Sequence, residues 1–127
     1  MSARILVVED SHSIRRLIRA ALESDGYEVL EREDGEAGLA ALQESPPDMV
    51  ITDVYMPGMD GLSLVRSIRA LRAFRFLPIL IITTESGDNM KQSGRAAGAT
   101  GWIVKPFDDD QLRQVVARFL KTRGSAA

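Results

Sequence analysis

The chain has 127 residues, no cysteine, and 16 Lys+Arg against 18 Asp+Glu for a formal net charge of −2. That length suits one domain able to bury roughly two-thirds of its unfolded surface without covalent staples. The composition excludes disulfides, thiolate metal sites and cysteine nucleophiles, argues by bulk charge against nucleic-acid binding, and contains no apolar run near the ~20 residues that span a bilayer, so membrane insertion is not expected.

Apolar runs alternate with helical patterns along the chain. A first strand is expected over about Arg4 to Val8. Only three residues precede it, so no signal peptide is expected and a cytoplasmic location is. The first helix is expected to be capped by Ser11 and to bury Ile14, Leu17, Ile18, Ala21 and Leu22, with Asp25-Gly26 as its stop. The second strand, Tyr27 to Glu31, alternates apolar and polar residues as a half-buried strand near a sheet edge does. Asp34-Gly35 opens a short Ala/Leu helix that ends before Pro46-Pro47. The third strand is Met49 to Thr52, followed by a loop from Tyr55 to Asp60 in which Pro57 and Gly58 shape the turn. The third helix carries Leu64, Val65, Ile68 and Leu71 on one face. Pro78 precedes the fourth strand, Ile79 to Ile82. The fourth helix, about Asp88 to Ala97, has few large apolar residues and reads as weak, with Gly98 as its end. Gly101 to Val104 is the fifth strand, and Leu112, Val115, Val116, Phe119 and Leu120 make a strong stripe on the last helix. The expectation is one domain over 1–127 with flexible ends at 1–3 and 122–127.

Five strand–helix units in alternation imply an α/β fold, a doubly wound parallel sheet with helices on both faces. Right-handed crossovers leave few topologies. Sites on such sheets lie outside the carboxyl ends of the strands.

Four strands end there in reactive side chains. The first runs into Glu9-Asp10, the third into Asp53, the fourth into Thr83-Thr84 and the fifth into Lys105-Pro106. Two carboxylates ~4 Å apart repel by roughly 4 kcal/mol at an effective dielectric of 20. Three together either retain a proton or hold a hard cation such as Mg²⁺, Mn²⁺ or Ca²⁺. The carboxylate of Asp53 can attack phosphorus, Lys105 can neutralise a phosphoryl oxygen and Thr83 can donate a hydrogen bond to another. Phosphoryl transfer is mainly positioning and charge stabilisation, so these parts nearly suffice.

The stretches ILVVED, ITDVYMPGMDG, LIITT and GATGWIVKPF, in this order and spacing, resemble the receiver domain of two-component response regulators over nearly the whole chain. The resemblance implies a flavodoxin-like five-stranded sheet of order 2-1-3-4-5. It implies that Asp53 is the phosphoacceptor, taking its group from the phosphohistidine of a histidine kinase or phosphotransfer domain. Asp10 and Asp53 would ligate Mg²⁺ directly, or Mn²⁺ in its place, with Glu9 acting through water and the Tyr55 backbone carbonyl completing the set. Lys105 matches the motif lysine, and Lys105-Pro106 is expected to be cis. Thr83 matches the switch hydroxyl, with Thr84 and Glu85 beside it, and Trp102 stands where the family carries its aromatic switch residue. Tyr55, two residues after the phosphoacceptor, could shield the phosphoryl group from water, and Glu85 could touch the same water path. His12 reads as a surface residue at a helix start. Arg15, with Ile14, Leu17 and Ile18, is expected by analogy to meet the kinase.

The implied function is a phosphorylation switch, not an enzyme with its own substrate. Output is expected through the surface of the fourth helix, fifth strand and fifth helix, with the weak fourth helix as the mobile element. TTES, GATGWIVKPF and the stand-alone length resemble single-domain chemotaxis regulators, which act on a flagellar motor or as phosphate sinks; a phosphorelay shuttle is the alternative. A monomer is expected, and dimerisation on activation is compatible with it. A phosphatase of the haloacid dehalogenase type would need a second acid where Tyr55 stands. A nucleotide or flavin module would need a G-x-G-x-x-G after the first strand, and none is there.

Overall fold

The computed structural model describes residues 2–125, with side chains described to residue 120. Five parallel strands, β1 (Arg4–Val8), β2 (Glu28–Arg32), β3 (Met49–Thr52), β4 (Ile79–Thr83) and β5 (Gly101–Val104), form one sheet in the order β2-β1-β3-β4-β5. Helices α1 (His12–Ser24), α2 (Gly35–Glu44), α3 (Gly61–Ala70), α4 (Asp88–Ala97) and α5 (Asp109–Ser125) connect and follow them, with a 3₁₀ turn at Arg72–Phe74. The expected flexible ends overlap Arg4's approach and the end of α5; Met1, Ala126 and Ala127 lie outside the described residues.

The continuous apolar runs make sense because the sheet is covered on both faces. Side chains alternate along each strand, so each run splits between two cores. Leu6, Val8, Val50, Ile79 and Ile81 pack with Leu42, Leu64 and Ile68. Ile5, Val7, Met49, Ile51, Leu80, Ile82 and Ile103 pack with Ile18, Leu22, Leu112 and Val116 on the other face. β2 is an edge strand and only Val29 in it is buried, which is why it alternates where the central strands do not. Leu17, expected on the buried face of α1, is instead 55% exposed. Ser11 accepts the N–H of Ile14 and caps α1, and Asp34 and Asp60 cap α2 and α3 in the same way. The paired register Val8↔Thr52 and Thr83↔Val104 brings the carboxyl ends of β1, β3, β4 and β5 to one edge.

Candidate functional site

Glu9 and Asp10 leave the end of β1, Asp53 the end of β3, Thr83 closes β4 and Lys105 follows β5. The structure brings the three acids together, with one carboxylate oxygen from each lying within 4.8 Å of the others. Glu9 and Asp53 are buried, and Asp10 is exposed at the rim. Lys105 Nζ donates to Glu9 Oε1 and to Asp53 Oδ2, each at 2.7 Å. The remaining oxygens are also used: Glu9 Oε2 accepts the N–H of Ser11 at 3.0 Å, and Asp53 Oδ1 accepts the N–H groups of Val54 and Tyr55 at 2.6 and 3.3 Å.

Electrostatics follow from this packing. Burial pushes the Glu9 carboxyl above its usual range, although Lys105 and the Ser11 N–H act the other way. Burial would lower the Lys105 ammonium, but its hydrogen bonds to Asp53 and Glu9 and their charges outweigh that and hold it above its ordinary value. Lys105 therefore stays a cation at neutral pH. Three carboxylates against one ammonium leave the cluster short of positive charge, and Asp10 makes no side-chain hydrogen bond to Lys105. An all-oxygen donor set with one carboxylate exposed at the rim fits a hard divalent cation.

Thr83 is fully buried and its Oγ1 accepts the N–H of Glu85 at 3.5 Å, while Thr84 is exposed. Tyr55 is half exposed and its hydroxyl donates to Glu85 Oε1 at 2.8 Å, which pushes the phenol pKa up. Trp102 Nε1 donates to the backbone carbonyl of Glu85 at 2.9 Å. Glu85 thus joins the loop after β3 to β5. The Lys105–Pro106 bond is cis. His12 is exposed, and its ring nitrogens meet the Arg15 and Arg16 guanidinium groups.

Three contributors escaped the sequence reading. Arg15, expected by analogy to meet the kinase, also has an intramolecular role: its guanidinium donates to the Glu9 backbone carbonyl at 2.7 Å and to Glu31 Oε1 at 3.2 Å, tying the acid-bearing loop to β2. Gly61 lets α3 start against the Asp53 backbone; a Cβ there would lie 1.9 Å from the Asp53 carbonyl oxygen. Gly94 gives α4 a flat face for the indole; a Cβ there would lie 2.5 Å from Trp102 Cζ3. The Asp60-Gly61 pair at a helix start was the available signal for the second, and nothing local signals the other two.

Comparison with known proteins agrees with this geometry. The chemotaxis protein CheY1 of Helicobacter pylori is 40% identical over 121 residues, covering 94% of this chain and 98% of that protein. The structure of the chemotaxis response regulator CheY4 of Vibrio cholerae superposes with a TM-score of 0.90 at 42% identity, covering 94% of this chain and 99% of that one. Response regulator PleD of Caulobacter vibrioides is 39% identical over 112 residues, which are 88% of this chain and only 25% of PleD, so the chain spans about a quarter of that relative. The family model described as the response regulator receiver domain matches residues 5–117, and with the acids, the lysine and the hydroxyl gathered at one sheet edge the chain belongs to that family.

Proposed function

We propose that this receiver domain takes one phosphoryl group onto Asp53 from the phosphohistidine of a histidine kinase or phosphotransfer domain, and passes the signal on in chemotaxis. The observation that carries the reading is the position of Asp53: it is 7% exposed, one of its oxygens lies 2.7 Å from Lys105 Nζ, and it clusters with Glu9 and Asp10. The chemotaxis assignment is supported by the names of full-length relatives.

Receiver domains bind Mg²⁺ in an acidic pocket. Here Asp10, Asp53 and the Tyr55 carbonyl would hold the ion, with Glu9 through water, and Mn²⁺ could replace it. When bound, the ion neutralises charge on the phosphoryl oxygens. The Asp53 carboxylate attacks phosphorus, and the P–N bond to the donor imidazole breaks as the P–O bond forms. Lys105 offers its ammonium to a phosphoryl oxygen, which relieves the attraction now shared by two carboxylates. Thr83 turns its hydroxyl toward another oxygen and draws Glu85 with it. Because Glu85 also holds Tyr55 and Trp102, that movement reaches the α4–β5–α5 face, where the output partner docks.

The test uses a small acyl-phosphate donor with Mg²⁺. Intact mass should rise by one phosphoryl group, and both Asp53→Asn and EDTA should abolish the gain. Turnover of many phosphate esters with no stable adduct would overturn the reading in favour of a phosphatase.

A further inference from the structure

The amino-terminal edge of the sheet, opposite the acids, carries an aromatic and cationic patch that the phosphorylation chemistry does not use. Phe76 is 85% exposed, in the segment between the 3₁₀ turn and β4. With Phe74, Leu77, Pro46 and Pro47 it lines a concavity of about 620 Å³ between the loops that enter β3 and β4. A large aromatic left 85% in solvent beside an apolar hollow adds buried area when a partner covers both.

The patch is held in shape. Arg69 donates to the Phe74 carbonyl at 2.7 Å and to the Gly98 carbonyl at 2.9 Å, fixing the turn to the corner before β5. Phe74 and Leu77 N–H groups donate to Leu71 and Phe74 carbonyls at 2.9 and 3.3 Å. Arg72 opens the 3₁₀ turn and Arg75 caps its end. Both are exposed, and neither guanidinium has an ion-pair or hydrogen-bond partner among the described residues. Asp48, the acid at the hollow, already accepts the Arg4 N–H at 2.8 Å.

We propose that this edge binds an acidic segment of a partner protein, with a bulky apolar side chain of the segment seated beside Phe76 and its carboxylates facing Arg72 and Arg75. Charge complementarity selects this occupant. A second copy offering its Asp108–Asp110 run would have to bring the opposite edge of its sheet to this one, and head-to-tail contacts of that kind grow into chains or rings instead of closing as a dimer. The surface is separate from the phosphoacceptor, so the proposal stands apart from the reaction assigned to Asp53.

The experiment titrates the ¹⁵N-labelled full chain with a short acidic peptide carrying a central leucine and phenylalanine. A version with lysine in place of each acid is the control. The acidic peptide should shift the amide resonances of residues 72–77 and leave those around Asp53 unmoved. The Arg72→Glu/Arg75→Glu double variant should bind it roughly tenfold more weakly, and Phe76→Ser should do likewise with its melting temperature unchanged. Equal shifts with the lysine peptide, shifts elsewhere, or none at millimolar peptide would overturn the proposal. Sedimentation showing chains of this protein that Phe76→Ser dissolves would reassign the edge to a second copy. Binding to phosphatidylserine vesicles without peptide binding would reassign it to a lipid surface.

Discussion

A methyl group at Gly61 would meet the Asp53 carbonyl oxygen at 1.9 Å and Val54 Cα at 2.8 Å, and both are backbone atoms with little room to yield. Gly61→Ala should therefore cost about 3 kcal/mol, or roughly 10 °C in melting temperature, and displace the segment that carries Asp53, the proposed phosphoacceptor. Thermal unfolding and acyl-phosphate labelling check this; wild-type values for both would mean that α3 can shift freely. Tyr55 acts at the same scale by a different route. Its hydroxyl donates to Glu85 Oε1 at 2.8 Å, and if this pair shields the phosphoryl group from water, removing it opens that path. Tyr55→Phe should shorten the lifetime of the phosphorylated protein by about 2–5-fold with little change in stability. Tyr55→Asn, which also removes the ring, should shorten it further. Identical decay in all three proteins, followed by intact mass, would remove Tyr55 from the water path.

At the scale of elements, α4 is poor in large apolar residues because of what it packs on. Only Gly94 and Ala97 in it are buried, and Gly94 lies against the ring of Trp102. The sequence signs of weakness there are the imprint of an indole seated across from them. Gly94→Ala sets two effects against each other. Alanine favours the helix by about 1 kcal/mol, while a Cβ 2.5 Å from Trp102 Cζ3 costs roughly 1–3 kcal/mol. The indole is pinned by its bond to Glu85, so the clash should win and drive the ring outward. The expected result is a modest fall in melting temperature with a red-shifted emission from Trp102, the only tryptophan. An unshifted spectrum with raised stability would show that the seat tolerates a methyl group. This coupling also shows where sequence reading stops. Strands β1, β3, β4 and β5 were legible because their apolar runs end in reactive residues, and the acids, Thr83 and Lys105 followed from them. Arg15 read only as a kinase-facing residue of the first helix, and Gly94 only as part of a weak fourth helix. Their roles depend on what the fold sets opposite them, Glu9 and Glu31 for the first and Trp102 for the second, and no local pattern records it.

For the molecule as a whole, α1 and α5 pack on the same face of the sheet and are fastened at the surface by one ion pair spanning 88 residues of sequence. Arg113 NH2 donates to Asp25 Oδ1 at 2.7 Å, and its Nε lies 3.1 and 3.0 Å from Asp25 Oδ1 and Oδ2. The hydrogen bond from Arg113 holds the Asp25 carboxyl below its ordinary value of 3.8. A carboxylate whose folded pKa is depressed adds stability that is present above the unfolded value and is lost as pH falls through the folded one. Arg113→Ala removes that contribution at neutral pH and has nothing left to remove once Asp25 is protonated. The two proteins should thus differ most in melting temperature near neutrality, and the gap should narrow as pH falls through the ordinary carboxylate range and below it. Added salt at neutral pH should shrink the same gap, because both groups are exposed to screening. A gap that holds constant in melts run across this range of pH and salt would mean that Arg113 supports α5 by packing and not by charge.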